Sequence, residues 1–243
     1  MLDFEAGQVY GVKGRQINIP TEIGVVLYDS GDDSVSYRQK KFFHDIDLVV
    51  RKNVIDENGV KTGTSVTVIN QEKQFYDLEY DRRHRAGNDE IRKGIKIYNE
   101  VHRSVRSYMD ALEDEYDISS FWFFSDSMER SIFKKASYDL SAYELYDLQK
   151  IVKKECPAMS SLPSLDKLSV AHNFKVGKKE IVSSNFRYDI PERRRYLFRN
   201  HRALGDAARI FMVRREYFHD KKDFTEKTVE HMRKCGDIRC RND

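Results

Sequence analysis

Apolar and polar positions alternate at the start of the chain and change to a helical period near residue 90. Leu2 and Phe4 interleave with Asp3 and Glu5, which predicts a strand over 2–5 with both carboxylates on one face. The apolar run Ile23–Tyr28 and the segment Tyr37–Phe43 flank the turn-forming Asp29-Ser30-Gly31-Asp32-Asp33, so an antiparallel meander is expected, with Asp47–Arg51 as a further strand. Between 52 and 90, Asp56-Glu57-Asn58-Gly59 predicts a turn and Ser65–Ile69 a short strand; the polar remainder reads as a surface loop or insertion. From Ile91 onward Ile95, Tyr98, Val101, Val105, Tyr108, Leu112 and Tyr116 recur at three and four, a long amphipathic helix. Ile118–Phe124 then reads as a buried strand, and Ser127–Ser137 as a helix with Met128, Ile132 and Phe133 on one face. Tyr146–Val152 fits either a helix or a strand. A short helix is expected after Pro163, capped by Ser161 or Ser164, and Asn200–Phe211 reads as a helix interrupted only by Gly205.

Helix, buried strand, helix is α/β organisation. At 243 residues the chain is long enough for one substantial domain, read as 1–218, followed by a charged helix or tail over 219–243. No run of about 18 apolar residues occurs, so no membrane partner is expected. Acids at positions 3 and 5 do not fit a signal peptide, and Cys156, Cys235 and Cys240 are too dispersed for a disulfide framework; a cytoplasmic setting is expected. His231, Cys235 and Cys240 match no common zinc spacing. The net charge of +3 says little by itself, but nine arginines against three acids between Arg187 and Arg215 form a lopsided segment. Such a segment is either a solvated basic face or, if it lies beside a phosphodiester site, a contact to a nucleic-acid backbone, since arginine holds phosphate bidentately.

Two carboxylates on one strand face repel unless a cation lies between them, and hard divalent ions take such oxygen ligands. Asp77-Leu78-Glu79 repeats the spacing of Asp3-Phe4-Glu5, but within a stretch too charged for a buried strand. Asp126 follows the strand ending at Phe124, the place where open α/β sheets put their chemistry, although Asp is also a good helix cap. A His followed five residues later by an acid occurs twice, at His84/Asp89 and His201/Asp206; composition alone predicts about one such pair. The first precedes the Asp126 strand and is broken by Gly87-Asn88. The second lies in a good helical segment, where Asp206 could equally pair with Arg202 or Arg209.

Asp3-Phe4-Glu5 with Pro20-Thr21-Glu22-Ile23-Gly24-Val25-Val26, then Phe123-Phe124-Ser125-Asp126 leading into a helix, then His201-x-x-x-x-Asp206, resembles the three motifs of the DEDDh-type 3′–5′ exonucleases. The resemblance spans most of residues 1–215 but is specific only at those motifs, and departs from the family at Ala6 and over 52–90. It implies a ribonuclease H-like mixed sheet flanked by helices, and metal-dependent release of nucleoside 5′-monophosphates from the 3′ end of RNA or DNA, single-stranded. Asp3, Glu5, Asp126 and Asp206 would hold two Mg²⁺ or Mn²⁺ ions, His201 would be the general base, and Phe4, Ala6 and Arg202 would contact substrate. The competing expectations are a catalytically silent nucleic-acid-binding or partner-recruiting module of the same fold, and a hydrolase of oligoribonucleotides or dinucleotides.

Overall fold

The computed structural model describes residues 1–10, 15–70, 75–78, 85–177, 179–198 and 202–238. Within them the meander β1 (Leu2–Tyr10), β2 (Gln16–Asp29) and β3 (Ser34–Lys41) extends through β4 (Leu48–Ile55), β5 (Lys61–Asn70) and β6 (Phe75–Leu78). These six form one antiparallel sheet in the order β3-β2-β1-β4-β5-β6. Strand β1 runs well past Glu5, so Ala6-Gly7 is not a connection; a bulge between Glu5 and Ala6 instead shifts its register against β2. Phe75–Leu78, expected as surface loop, forms the edge strand.

Helix α1 (Asn88–Glu115) follows, then β7 (Ser120–Phe123), α2 (Ser127–Lys135), β8 (Glu144–Asp147) and α3 (Leu148–Glu155). The ambiguous segment 146–152 is therefore both, a strand end turning directly into a helix. β7 and β8 pair in parallel, separately from the large sheet. Next come α4 (Leu165–Ala171), capped by Ser164 Oγ accepting from the Lys167 amide at 3.1 Å, and the small antiparallel sheet β9 (Lys175–Val176), β10 (Glu180–Val182) and β11 (Arg187–Asp189). A 3₁₀ helix (Glu192–Leu197) precedes α5 (Ala203–His219) and α6 (Lys221–Lys234). The architecture is mixed α/β, and among the described residues no helix is long and apolar enough to cross a membrane.

The large sheet is covered on both faces. On one side Leu2, Phe4, Ile23 and Val25 pack with Val101, Val105 and Met109 of α1 and Phe133 of α2. On the other Val26 and Tyr37 pack with Leu148, Leu168, Leu204, Phe211, Phe224 and Met232 from α3 to α6. The described part of the C-terminal segment, 219–238, is thus no detached tail: Phe224 and Met232 are core. Helix α1 buries Ile97, Val101, Val105, Met109 and Leu112, a stripe rotated from the one read off the sequence. Gly94 belongs to that stripe, and a Cβ there would run into the Tyr10 carbonyl, so the glycine sets how closely α1 approaches the end of β1.

The contact that fixes the second layer lies at Gly24. A Cβ on it would collide with the backbone of Ala203 and Leu204, the first turn of α5. Beside it, the buried Glu22 carboxylate accepts from the Ala203 amide at 3.1 Å and pairs with Arg202 at 3.0 Å, which satisfies one of the open donors at the helix start. Gly24→Ala should therefore lower the urea midpoint, with a cost of at least the roughly 1–3 kcal/mol of ordinary overpacking. Gly63→Ala, where a Cβ meets nothing within 4 Å, should stay within about 0.5 kcal/mol of wild type. Equal melts for the two variants would mean that α5 can shift away from β2 freely.

Candidate metal centre

Alternation along β1 turns Leu2 and Phe4 toward α1 and α2, and so turns Asp3 and Glu5 toward α5. In the β1–β2 register Asp3 lies opposite Gly24 and Glu5 opposite Glu22. The two residues that hold the α5 terminus are thus the cross-strand neighbours of the two acids. Asp206 stands on the first turn of that helix, and one ligand oxygen each from Asp3, Glu5 and Asp206 lies within 4.8 Å of the other two. Acids 200 residues apart in sequence meet because the helix terminus is pinned to β2.

Their protonation reflects the crowding. Burial, then the charges of Asp206, Glu129 and Glu5, push the Asp3 carboxyl well above the usual carboxylate range, with Arg209 opposing. Glu5 is pushed up to about 8 by burial and by Asp206, with Lys52 pulling the other way. The buried Arg209 counters part of this charge: it pairs with Asp206 at 2.8 Å, with Asp166 of α4, and donates to Ser169 Oγ at 2.9 Å. Asp206 therefore makes the expected pair with Arg209 and also faces the other two acids.

Asp126 is placed elsewhere. Ser125, in the left-handed region at φ 67°, turns the chain sharply after β7. The Asp126 carboxylate then pairs with Arg130 and, at 3.0 Å, with Lys150. Asp147 at the end of β8 takes the same lysine at 2.8 Å. Burial opposes ionisation of Asp126, but its hydrogen bonds from Arg130 and Lys150 outweigh that and hold its carboxyl below the ordinary value. The side chain makes no capping hydrogen bond to α2 either. The three-acid group does not include it; Asp126 joins the ends of β7 and β8 through Lys150.

The acid on this element that does act on Asp3 is Glu129, which sequence reasoning passed over. It is 3% exposed, its Oε2 is buried without a hydrogen-bond partner, and burial pushes its carboxyl up to about 8, with Asp126 and Asp147 adding to the shift. A signal existed: Glu129, Ile132, Phe133 and Ala136 share one helical face, so the glutamate lies on the apolar stripe. Carboxylates on an apolar face need a partner.

No protein-family model, curated protein or solved structure matches this chain.

Of the expected substrate contacts, Phe4 is 2% exposed with its ring edge-on to Phe133 at 5.5 Å, so its side chain belongs to the core and only its backbone faces the acids. Ala6 is half-buried at the bulge after Glu5, and Arg202 is committed to Glu22. His201 and the decoy His84 lie outside the described residues. The nine arginines do not share one face. Arg209 is buried, Arg214 stacks over Trp122 at 4.6 Å and Arg215 over Phe186 at 4.4 Å. Of the rest, Arg187 and Arg193 are exposed and Arg194 and Arg195 half-exposed.

Oxygen donors that repel one another in a partly buried site suit a hard divalent cation; Glu129 lies outside this three-acid group, though its charge acts on Asp3. Without such an ion, Glu5 is protonated in the folded protein and ionised in the unfolded chain between about 4.5 and about 8. The folded state binds more protons there, so stability should be fully present below this window and fall as pH rises through it. Added Mn²⁺ competes with those protons, so its stabilising effect should grow with pH and vanish in Asp3→Asn. Thermal melts at several pH values, with Mn²⁺ and with EDTA, check this; a Tm that Mn²⁺ leaves unmoved at every pH would count against a metal centre.

Proposed function

We propose that the chain is a metal-dependent phosphodiester hydrolase of ribonuclease H-like fold that removes nucleotides from the 3′ end of a nucleic acid. The observation that carries this reading is the convergence of Asp3, Glu5 and Asp206 within 4.8 Å, with the buried Glu129 acting on Asp3. In fold terms, the antiparallel β1–β3 meander, the parallel β7–β8 pair and the helices on both faces support the reading, while the single mixed sheet it implies is here an antiparallel sheet with a separate parallel pair.

Asp3, Glu5 and Asp206 would hold the ions, with Glu129 as the fourth carboxylate favoured by its burial and Asp126 as the alternative from the same element. When bound, two divalent ions lower the pKa of an attacking water and neutralise charge on the leaving oxygen. The chain's own residues do the rest. Arg209 pairs with Asp206 and orients it, and Glu22 fixes the helix turn that carries it. His201, one residue before the α5 cap residue Arg202, is proposed to take the proton as water attacks phosphorus, the bond from phosphorus to the 3′ oxygen breaks, and that oxygen is protonated. The products are a nucleoside 5′-monophosphate and a strand one residue shorter.

A product ladder from 5′-labelled RNA and DNA, run with Mg²⁺, Mn²⁺ and EDTA, tests the reaction. Asp3→Asn and Asp206→Asn should each abolish most cleavage in folded protein, while Asp77→Asn should be nearly silent. Glu129→Gln should cost more activity than Asp126→Asn, whereas Asp126→Asn should cost more stability, because it breaks the Lys150 pairing. His201→Ala should slow cleavage by about 10²- to 10⁴-fold with Mn²⁺ binding retained. No ladder under any metal would defeat the reading.

A further inference from the structure

The β4–β5 ribbon is built unlike the rest of the sheet. Its root is buried at Leu48, Val49 and Val50, where Val49 pairs with Gln8 of β1, three residues beyond Glu5. Its arms then leave the body: Arg51, Lys52, Asn53 and Val54 are exposed, as are Lys61, Thr62, Thr64 and Ser65. At its tip Gly59 is buried again, while Asp56, Glu57 and Asn58 stay exposed. Asp56 Oδ1 accepts from the Asn58 and Val60 amides at 2.9 Å each, closing a tight turn, and Gly59 within it is buried in the left-handed region at φ 76°.

What buries the tip is the helical layer. A Cβ on Gly59 would lie 2.7 Å from the Asp166 carbonyl carbon and the Lys167 nitrogen of α4. The Asn58 carbonyl lies 2.9 Å from His231 Nε2 of α6. Asp166 is the residue that shares Arg209 with Asp206. The ribbon is thus fixed at one end to the strand carrying Asp3 and Glu5, and at the other to helices tied to Asp206. Its eight-residue arm β4 spans about 26 Å, and on the way the Lys52 charge acts on Glu5. A two-stranded ribbon is marginally stable by itself, so the seat at the tip holds it in place.

We infer that the β4–β5 ribbon is a strap across the mouth of the three-carboxylate site, latched at Asn58 and Gly59, which admits a free single-stranded end and obstructs a duplex end. This rests on the phosphodiester reading given above. A lone strand passes end first between ribbon and body, with the exposed Lys52 available to its phosphates. A paired end brings a second strand and stacked base pairs against the ribbon. The strap therefore sets which polynucleotide ends are accepted, without reading sequence.

Two variants test it. In the first, residues 54–63 are replaced by Asn-Gly, which closes the paired Asn53 and Thr64 with a two-residue turn and leaves Lys52 in place. In the second, Gly59→Val expels the tip from its seat and leaves the ribbon at full length. Binding of a fluorescent single strand and of a blunt duplex of the same sequence is read by anisotropy in Ca²⁺, without cleavage; cleavage is then read in Mn²⁺. Wild type should prefer the single strand. The shortened variant should gain about tenfold in duplex affinity with single-strand affinity within about threefold of wild type, and Gly59→Val should move the same way with faster amide exchange over 51–66. Unchanged discrimination in the folded shortened variant, or none in wild type, overturns the strap. Wild type that binds and discriminates but releases no nucleotide in Mn²⁺ defeats the hydrolase reading alone. Wild type that binds neither polymer defeats both.

Discussion

The first turn of α5 lies against β2 so closely that residue 24 can carry no side chain, and the acidic site exists because of that approach. Gly24 admits the backbone of Ala203 and Leu204, and Glu22 holds the helix start through the Ala203 amide and Arg202. Because Gly24 and Glu22 are the cross-strand partners of Asp3 and Glu5, the position of one helix end relative to one strand decides the spacing of all three carboxylates. Ordinary layer packing tolerates shifts of an ångström or so in a helix; this helix has no such freedom at its N-terminus.

Charge is the second constraint. Asp3, Glu5, Asp206, Asp166 and Glu129 crowd one region, and Arg209 is the fully buried cation among them. Burial is the first cause of the raised carboxyl groups of Asp3, Glu5 and Glu129, neighbouring acids add to it, and one guanidinium with two carboxylates at its fork does not offset it. At the ends of β7 and β8 the arrangement differs: Asp126 and Asp147 share Lys150, and the hydrogen bonds from Arg130 and Lys150 hold the Asp126 carboxyl below its ordinary value. The two acid groups differ in how a lysine meets them: Lys150 pairs directly with Asp126 and Asp147, whereas Lys52 acts on Glu5 only through its charge.

Much of the fold was legible because its periods are clean. Leu2/Phe4, Ile23–Tyr28, the helix after Ile91 and the strand at Phe121–Phe123 all appear near their expected places, and Asp3, Glu5 and Asp206 do converge. What stayed hidden depends on contacts distant in sequence. Nothing local says that Lys150 will draw Asp126 into a pair, or that Arg209, Arg214 and Arg215 will turn inward rather than join a basic surface. The ribbon over 48–70 was legible only in pieces: Asp47–Arg51, the Asp56–Gly59 turn and Ser65–Ile69 match parts of it as expected, but its exposed arms lack an apolar stripe, and its seat depends on Gly59 meeting α4, more than 100 residues later. Glu129 was readable in principle, as an acid on an apolar helix face.

The link from Glu22 to Ala203 spans 181 residues, and it also fixes the order in which the molecule can be completed. As the chain leaves the ribosome, the β1–β3 meander and its two acids appear before α5, which follows only about 160 residues after β3. Until Arg209 arrives, no buried cation answers Asp3 and Glu5, and the face of β2 that seats α5 stays open. Contacts this distant in sequence form late and slowly. The three-acid site is therefore among the last parts of the protein to form during synthesis, so a nascent chain carries its first two acids long before the site that uses them is whole.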